Sequence, residues 1–356
     1  MSSTGEAAGP RASVRPPAVR PGDRVAVLAL SGPLAARCPR RLRRAVAELR
    51  RRGLDAVAGE GCSLDTGDRA GSAEVRAAAF TAAVTDPGVR AVLSAIGGDG
   101  TREILPLLDP GALAASPTAV IGYSDTSSLL LWLRLRLGWT TYYGPAAMPQ
   151  FGEAGGVDDH TWDTLWDAVG PRACEDRDLP SLEHVVVEQL WWDRDDDRPR
   201  AAVPAPARET WRPGTARGPL LAANLSTLAG DLRQDALPTE PWRGQTVFLE
   251  ESDAATWDEF RDAVATVAES GLLDGCAALV FGRFAQVVRD EWPAADVREA
   301  LAPLTAACAG PVVGDAEFGH TDPHFTLPLG TVAEVSASRP GTRVPRLRLL
   351  PERRTP

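Results

Sequence analysis

Short apolar runs punctuate this chain, and stretches of helical spacing separate them. Arg24–Leu30 (RVAVLAL) reads as a buried strand, followed by a Gly/Pro turn and an arginine-rich segment. Further runs lie at Arg90–Ser94, shortly before Gly97 and Gly98, at Ala119–Gly122 and at Thr140–Tyr143. Helical spacing falls between them, around Ala73–Val84, Ile104–Leu108 and Ser127–Leu137. Alternation of strands and helices with glycine-rich strand ends predicts an α/β fold with a doubly wound parallel sheet. Ligands gather at the carboxyl ends of such strands, which is where the unusual residues of this sequence fall.

From about Phe151 to Arg217 the texture changes, first to acidic (Asp193, Asp195, Asp196, Asp197) and then to a mixture rich in Pro, Ala and Arg. Strand-like runs resume after Gly218, at Thr246–Leu249, Ala278–Phe281 and Pro311–Val313. A length of 356 residues also favours two cores over one. The expected organisation is a disordered tail over 1–20, an N-terminal domain over 21–150, a connector or insertion over 151–217, and a smaller C-terminal α/β domain over 218–350.

Composition narrows the function classes. The formal net charge of -10 argues against a nucleic-acid partner. The one basic cluster, Arg40–Arg52, carries Leu42, Val46 and Leu49 at helical spacing, so its arginines are expected on the wet side of an amphipathic helix. Lysine is absent from the whole chain, which removes Ser–Lys, Schiff-base and P-loop-lysine chemistry. Five scattered cysteines suggest neither a disulfide framework nor a zinc knuckle. No apolar run is long enough for a membrane span, and residues 1–21 lack the apolar core of a signal peptide. The expectation is a cytoplasmic protein without a membrane partner.

Four segments can carry chemistry. Gly122-Tyr123-Ser124-Asp125-Thr126 follows an apolar strand and precedes a helix, as a nucleophile elbow does, although Thr126 stands where a second small residue is usual. Ser124 or Asp125 could equally cap that helix. Ile96-Gly97-Gly98-Asp99-Gly100-Thr101 frees backbone N–H groups for an oxyanion or a phosphate, and it also matches the phosphate loop of NAD and diacylglycerol kinases. Phe318-Gly319-His320-Thr321-Asp322-Pro323-His324 holds two of only four histidines, with His320 a candidate base and His320-x-Asp322-x-His324 an alternative metal pattern short of a further ligand. Phe248-Leu249-Glu250-Glu251 puts a carboxylate at a strand end, where it could orient a histidine or simply form an exposed acidic loop.

Taken in order, IGGDGTREILPLLD, VIGYSDTSSLLL, TYYGPAAMPQFGE, GPLLAANLSTLAGD, VFLEESDAATWDEF and FGHTDPHFTLPLG resemble the LD-carboxypeptidase family of serine peptidases, over most of the chain from Arg20 to Gly330. The resemblance implies two domains with the site in the cleft between them, Ser124 as nucleophile, Glu250 and His320 completing a triad, and the N–H groups of Gly98 and Asp125 as oxyanion donors. It implies neither cofactor nor metal, and commonly a homodimer. The murein-cleaving branch has an arginine directly before its Gly-Gly; Ile96 stands there in this chain, which favours the microcin-immunity branch. In that branch a connector loop supplies an aromatic that stacks on the nucleotide-like part of the substrate. Trp191, Trp192 and Trp211 are the candidates here, with packing against the second domain as the alternative for each. Ala222-Ala223-Asn224 replaces the family's Gly-Gly-Asn, leaving Asn224 as a further substrate-binding candidate. The expected substrate is a small peptide or a nucleotide-conjugated peptide. Murein LD-carboxypeptidase activity and non-catalytic sequestration of a peptide are the alternatives. Glu251, one step along the strand, is expected to point away from His320 and to tolerate substitution.

Overall fold

The structure, a computed structural model, describes residues 13–351. Strands β1 (Arg24–Leu28), β2 (Asp55–Ala58), β3 (Val89–Ser94), β4 (Ala119–Gly122) and β5 (Tyr142–Tyr143) run parallel in the order β2-β1-β3-β4-β5. Successive side chains of a strand face opposite ways, and the central strands here are apolar on both sides. Val25, Val27, Ala91, Leu93 and Ile121 therefore join one core, under the helix Pro39–Arg51. Leu28, Val92 and Val120 join the other, with Phe80 of the helix Ala73–Thr85 and Leu129–Leu131 of the helix Ser127–Leu137. This is the doubly wound sheet that the alternation of elements predicts.

The remaining strands, β6 (Arg177–Leu179), β7 (His184–Val186), β8 (Ala202–Pro204), β9 (Glu209–Arg212), β10 (Gly214–Asn224), β11 (Thr246–Glu250), β12 (Ala278–Gly282), β13 (Val312–Ala316), β14 (Leu327–Pro328), β15 (Val332–Ala337) and β16 (Arg346–Leu350), mostly build a second sheet. Its order is β6-β16-β15-β10-β11-β12-β13-β9, with β10 to β13 parallel and the flanking strands antiparallel. β14 leaves it and pairs with β5, so the chain after β13 crosses back onto the edge of the first sheet. One apolar core, from Leu28 through Leu220 to Leu349, runs through both sheets. No helix among the described residues is long and apolar enough to cross a membrane.

Three local expectations are corrected. The disordered tail does not extend to residue 20: Val14 donates to Gly138 and Val19 is 1% exposed in the first core. Residues 1–12 lie outside the described residues. The arginine helix is not wet throughout. Arg40, Arg43, Arg50 and Arg51 are exposed, but Arg41 is buried, donating to the carbonyls of Met148 (2.7 Å) and Pro149 (2.9 Å) and pairing with Asp196 (2.5 Å) and Glu153 (3.0 Å). Thr101–Leu107 forms a 3-10 turn with Pro106 inside it, because proline has no N–H to extend an α-helix.

The stretch expected as connector has structure of its own. Helix Asp159–Val169 packs on the first core through Trp162 and Leu165, β6 and β9 extend the second sheet, and Asp196 of the acidic run is held by Arg41 and Arg44.

Candidate active site

β4 is buried along its whole length, and the chain turns sharply behind it. Ser124 takes φ 59°, the left-handed region that a non-glycine residue rarely occupies, and the helix Ser127–Leu137 begins three residues later. The strained turn lifts the hydroxyl off the sheet. Asp125 secures it from below: its buried carboxylate accepts from the Gly100 N–H (3.1 Å), the Thr101 N–H (2.9 Å) and the Thr101 hydroxyl (2.6 Å). The elbow and the glycine loop after β3 are thereby held together, close enough that a side chain added at Gly97 would lie 3.1 Å from Ser124 Oγ. Gly98 has φ 152°, and a Cβ there would fall 2.5 Å from Ser31 Oγ, so only glycine fits.

The second sheet supplies the other half. Glu250 ends β11 in register with Asn224 at the end of the parallel β10, and both side chains are buried. His320 follows β13. Gly319, with φ 96°, leaves room for Glu250, whose Oε2 a Cβ would approach to 2.5 Å. His320 Nε2 is 3.1 Å from Ser124 Oγ, and its Nδ1 is 2.6 Å from Glu250 Oε2. The other oxygen of Glu250 accepts from the Tyr143 hydroxyl (2.5 Å) and Asn224 Nδ2 (3.1 Å). Burial pushes the Glu250 carboxyl up, but the His320 charge and these hydrogen bonds outweigh it and hold the group below the usual carboxylate range. For His320, burial favours the neutral ring, yet the Glu250 charge and hydrogen bond, with Asp253 and Glu251 behind them, raise its pKa to about 9.

Ser124, Glu250 and His320, far apart in sequence, are thus brought into one hydrogen-bonded line. Tyr143 was not anticipated. Its hydroxyl accepts from the Ser124 N–H (3.3 Å) as it donates to Glu250, tying the two domains at the site. Two adjacent tyrosines, Tyr142 and Tyr143, in a strand expected to be buried were the available signal, since a buried phenol seeks a partner. Ser124 opens into a cleft of about 460 Å³ lined from both domains, by Gly98 and Arg102 on one side and Asn224, Ser226 and Glu251 on the other. Asn224 both lines this cleft and caps the following helix at the Thr227 N–H (2.9 Å).

Glu251 corrects its expectation. It is as buried as Glu250 and accepts from Ser252 N (2.7 Å), Ser226 Oγ (2.8 Å), Ser226 N (3.2 Å) and Asn224 Nδ2 (3.3 Å), so it is neither part of an exposed loop nor free to change. The three tryptophans separate. Trp192 packs under Arg41, 4.2 Å from its guanidinium, and Trp211 stacks on Phe281 at 5.2 Å, so both are structural. Trp191 is 65% exposed, two residues beyond Gln189, which donates to Asp253 beside the site. In the alternative metal pattern, Asp322 is taken by Arg200 (2.5 Å) and His324 Nδ1 by the Gly319 carbonyl (2.8 Å); among the described residues no three His, Cys, Asp or Glu side chains converge on a metal-sized site.

A serine on a strained elbow, in line with an imidazole and a carboxylate in a cleft between two α/β domains, is the working arrangement of a serine hydrolase. Comparison with known proteins carries this further. The profile of the LD-carboxypeptidase N-terminal domain matches residues 25–144 and that of the C-terminal domain residues 217–335, and the chain belongs to this family. A Streptomyces coelicolor chain carrying a carboxypeptidase name is 33% identical, over 92% of this chain and 94% of its own. The microcin C7 self-immunity protein MccF of Escherichia coli is 27% identical, over 87% and 89%. The structure of MccF in complex with glutamyl sulfamoyl guanosine superposes with a TM-score of 0.83 at 25% identity, covering 95% of this chain and 98% of that one. Membership places the activity among serine peptidases that hydrolyse amide bonds.

Proposed function

We propose that this chain cleaves the acyl–nitrogen bond of a small peptide or aminoacyl-nucleotide conjugate through a Ser124–His320–Glu250 triad, in a self-immunity role. The observation that carries the reading is the relay of 3.1 Å and 2.6 Å that opens into a cleft shared by the two domains. His320 Nε2 accepts the Ser124 proton as Oγ attacks the acyl carbon. Glu250 holds the ring by Nδ1 and balances its positive form. The developing oxyanion is received by the N–H groups of Asp125 and Gly98; that of Ser124 is already given to Tyr143. His320 then protonates the leaving nitrogen, and a water activated by the same ring releases the acyl group from Ser124. Trp191, 65% exposed with the Arg194 guanidinium 4.8 Å from its ring, is the candidate to stack on a base. A cytoplasmic homodimer completes the reading, supported by the family resemblance and by five cysteines that are all free thiols.

Incubation with an aminoacyl sulfamoyl adenosine and, separately, with a murein tetrapeptide, followed by mass spectrometry of the products, tests this. Cleavage of the conjugate with little of the tetrapeptide supports it. The opposite preference assigns the chain to murein recycling, and cleavage of neither removes the substrate class.

A further inference from the structure

The loop that carries His320 is gripped from outside the two sheets. Asp322, two residues beyond the histidine, accepts from Arg200 Nη2 at 2.5 Å and from Gln150 Nε2 at 3.0 Å. Its backbone pairs with Val186, through Val186 N to Asp322 O (2.6 Å) and Asp322 N to Val186 O (3.2 Å). Both Val186 and Arg200 belong to the segment between the domains. Arg200 is itself fixed by Glu153, to whose two oxygens its N–H and Nε donate at 3.0 and 2.9 Å. Glu153 also accepts from Arg41 (3.0 Å). Gln150, the other partner of Asp322, lies 3.3 Å from the Tyr123 hydroxyl, and the Tyr123 ring stands 4.9 Å from that of His320. The chain of contacts therefore begins on the arginine helix, passes through Glu153, Arg200 and Asp322, and reaches the imidazole through its own loop and, by way of Gln150, through the tilted ring of Tyr123. Arg200 and Asp322 are mostly buried, with side chains 19% and 13% exposed, so the pair is little weakened by solvent.

We infer that Arg200 is a positioning residue for the hydrolysis: by holding Asp322 it sets the imidazole of His320 at hydrogen-bonding distance from Ser124. The inference rests on the functional reading above, because it presumes that His320 works on Ser124. Two of the His320 contacts, to Ser124 and to Glu250, come from different domains, so a small displacement of the loop lengthens one or both. A misplacement of about an ångström at a reacting group lowers the rate on the order of a hundredfold. Arg200 does not line the cleft of Gly98, Arg102 and Asn224 into which Ser124 opens; with Asp322, Gln150 and Glu153 it lines a separate cavity of about 630 Å³, so a role in positioning is read from kcat with KM little changed, and a raised KM at unchanged kcat would assign Arg200 to binding instead.

The test compares Arg200→Met, Asp322→Asn and the double variant in the full chain. Each single change is expected to lower kcat for the aminoacyl sulfamoyl adenosine by roughly ten- to a hundredfold, with KM within about threefold. The double variant is expected to be no slower than the worse single one, because both break the same link. A role confined to holding the fold gives additive losses, or a fall in Tm with no loss in the folded fraction's kcat, and either overturns the inference. A second measurement does not need turnover. The Nδ1 proton that His320 shares with Glu250 gives a far-downfield proton resonance, which is expected to weaken or move in both single variants. An unchanged resonance with unchanged kcat refutes the positioning role. Retention of activity by Ser124→Ala would instead defeat the functional reading, while the resonance still decides whether Arg200 sets the ring.

Discussion

Changing Glu250 to Gln should slow the enzyme by a factor that itself depends on pH. His320 can accept the serine proton only as the neutral ring, and its pKa of about 9 leaves roughly one ring in a hundred neutral at pH 7. Protonation of the ring thus slows the wild-type reaction at neutral pH by roughly a hundredfold. Glutamine fills the same buried space but carries no charge, so the first pull that raises His320 is lost and burial draws the ring back to its ordinary 6.5 or lower. The variant then has most of its imidazole neutral at pH 7, but it lacks the charge that balances the imidazolium and it offers the wrong hydrogen-bonding tautomer. The intrinsic loss from an equivalent change in a triad is on the order of 10⁴. The ratio of wild-type to variant kcat/KM should therefore approach ~10⁴ near pH 10 and shrink to about 10² near pH 7. The acid limb of the wild-type profile should sit well above 6.5, and that of the variant should move down. Profiles of kcat/KM from about pH 5.5 to about pH 10 for both proteins measure this. A ratio that stays flat with pH, or a wild-type acid limb at or below 6.5, would refute the coupling between these two residues.

Glu251→Gln should behave differently. One amide oxygen cannot replace two carboxylate oxygens that accept from Ser226, Ser252 and Asn224, so the change should lower stability by about 1–3 kcal/mol, read by urea denaturation, with a much smaller loss of kcat than Glu250→Gln. Among the tryptophans, Trp191→Ala should raise KM for a nucleotide conjugate by roughly five- to a hundredfold with Tm unchanged, as expected for loss of one stacked base. Trp211→Ala, which empties the contact with Phe281, should lower Tm and leave KM alone. Equal KM values for wild type and Trp191→Ala would remove the stacking role.

What the sequence revealed and what it withheld follow physical lines. Elements with strong local signals were legible: the helix over Ser127–Leu137 and the strand over Ala119–Gly122 lie where their patterns put them, because apolar periodicity reports burial directly. Ser124, Glu250 and His320 sit at strand ends, and their segments were marked by position and by the family resemblance together. Burial of charge was not legible. Periodicity assigned Arg41 to water, but nothing local told of the carbonyls of Met148 and Pro149 or of Asp196, more than a hundred residues away in sequence, that receive it. The same blindness hid the clamp of Arg200 on Asp322 and made Glu251 look like a surface acid. Tyr143 was read as part of an apolar strand because its hydroxyl finds its acceptor on the other domain. Long-range polar pairs leave little trace in the pattern of either partner.

The reactivity of the Ser124 hydroxyl is the property on which the proposed chemistry most directly depends. Treating the protein with a fluorophosphonate and reading intact mass, with peptide mapping of the adduct, tests it in one measurement. The predicted result is a single adduct per chain on Ser124, absent in Ser124→Ala and formed at least about a hundredfold more slowly in His320→Ala. No adduct, an adduct on another residue, or labelling that persists in Ser124→Ala would contradict the assignment of Ser124 as the nucleophile.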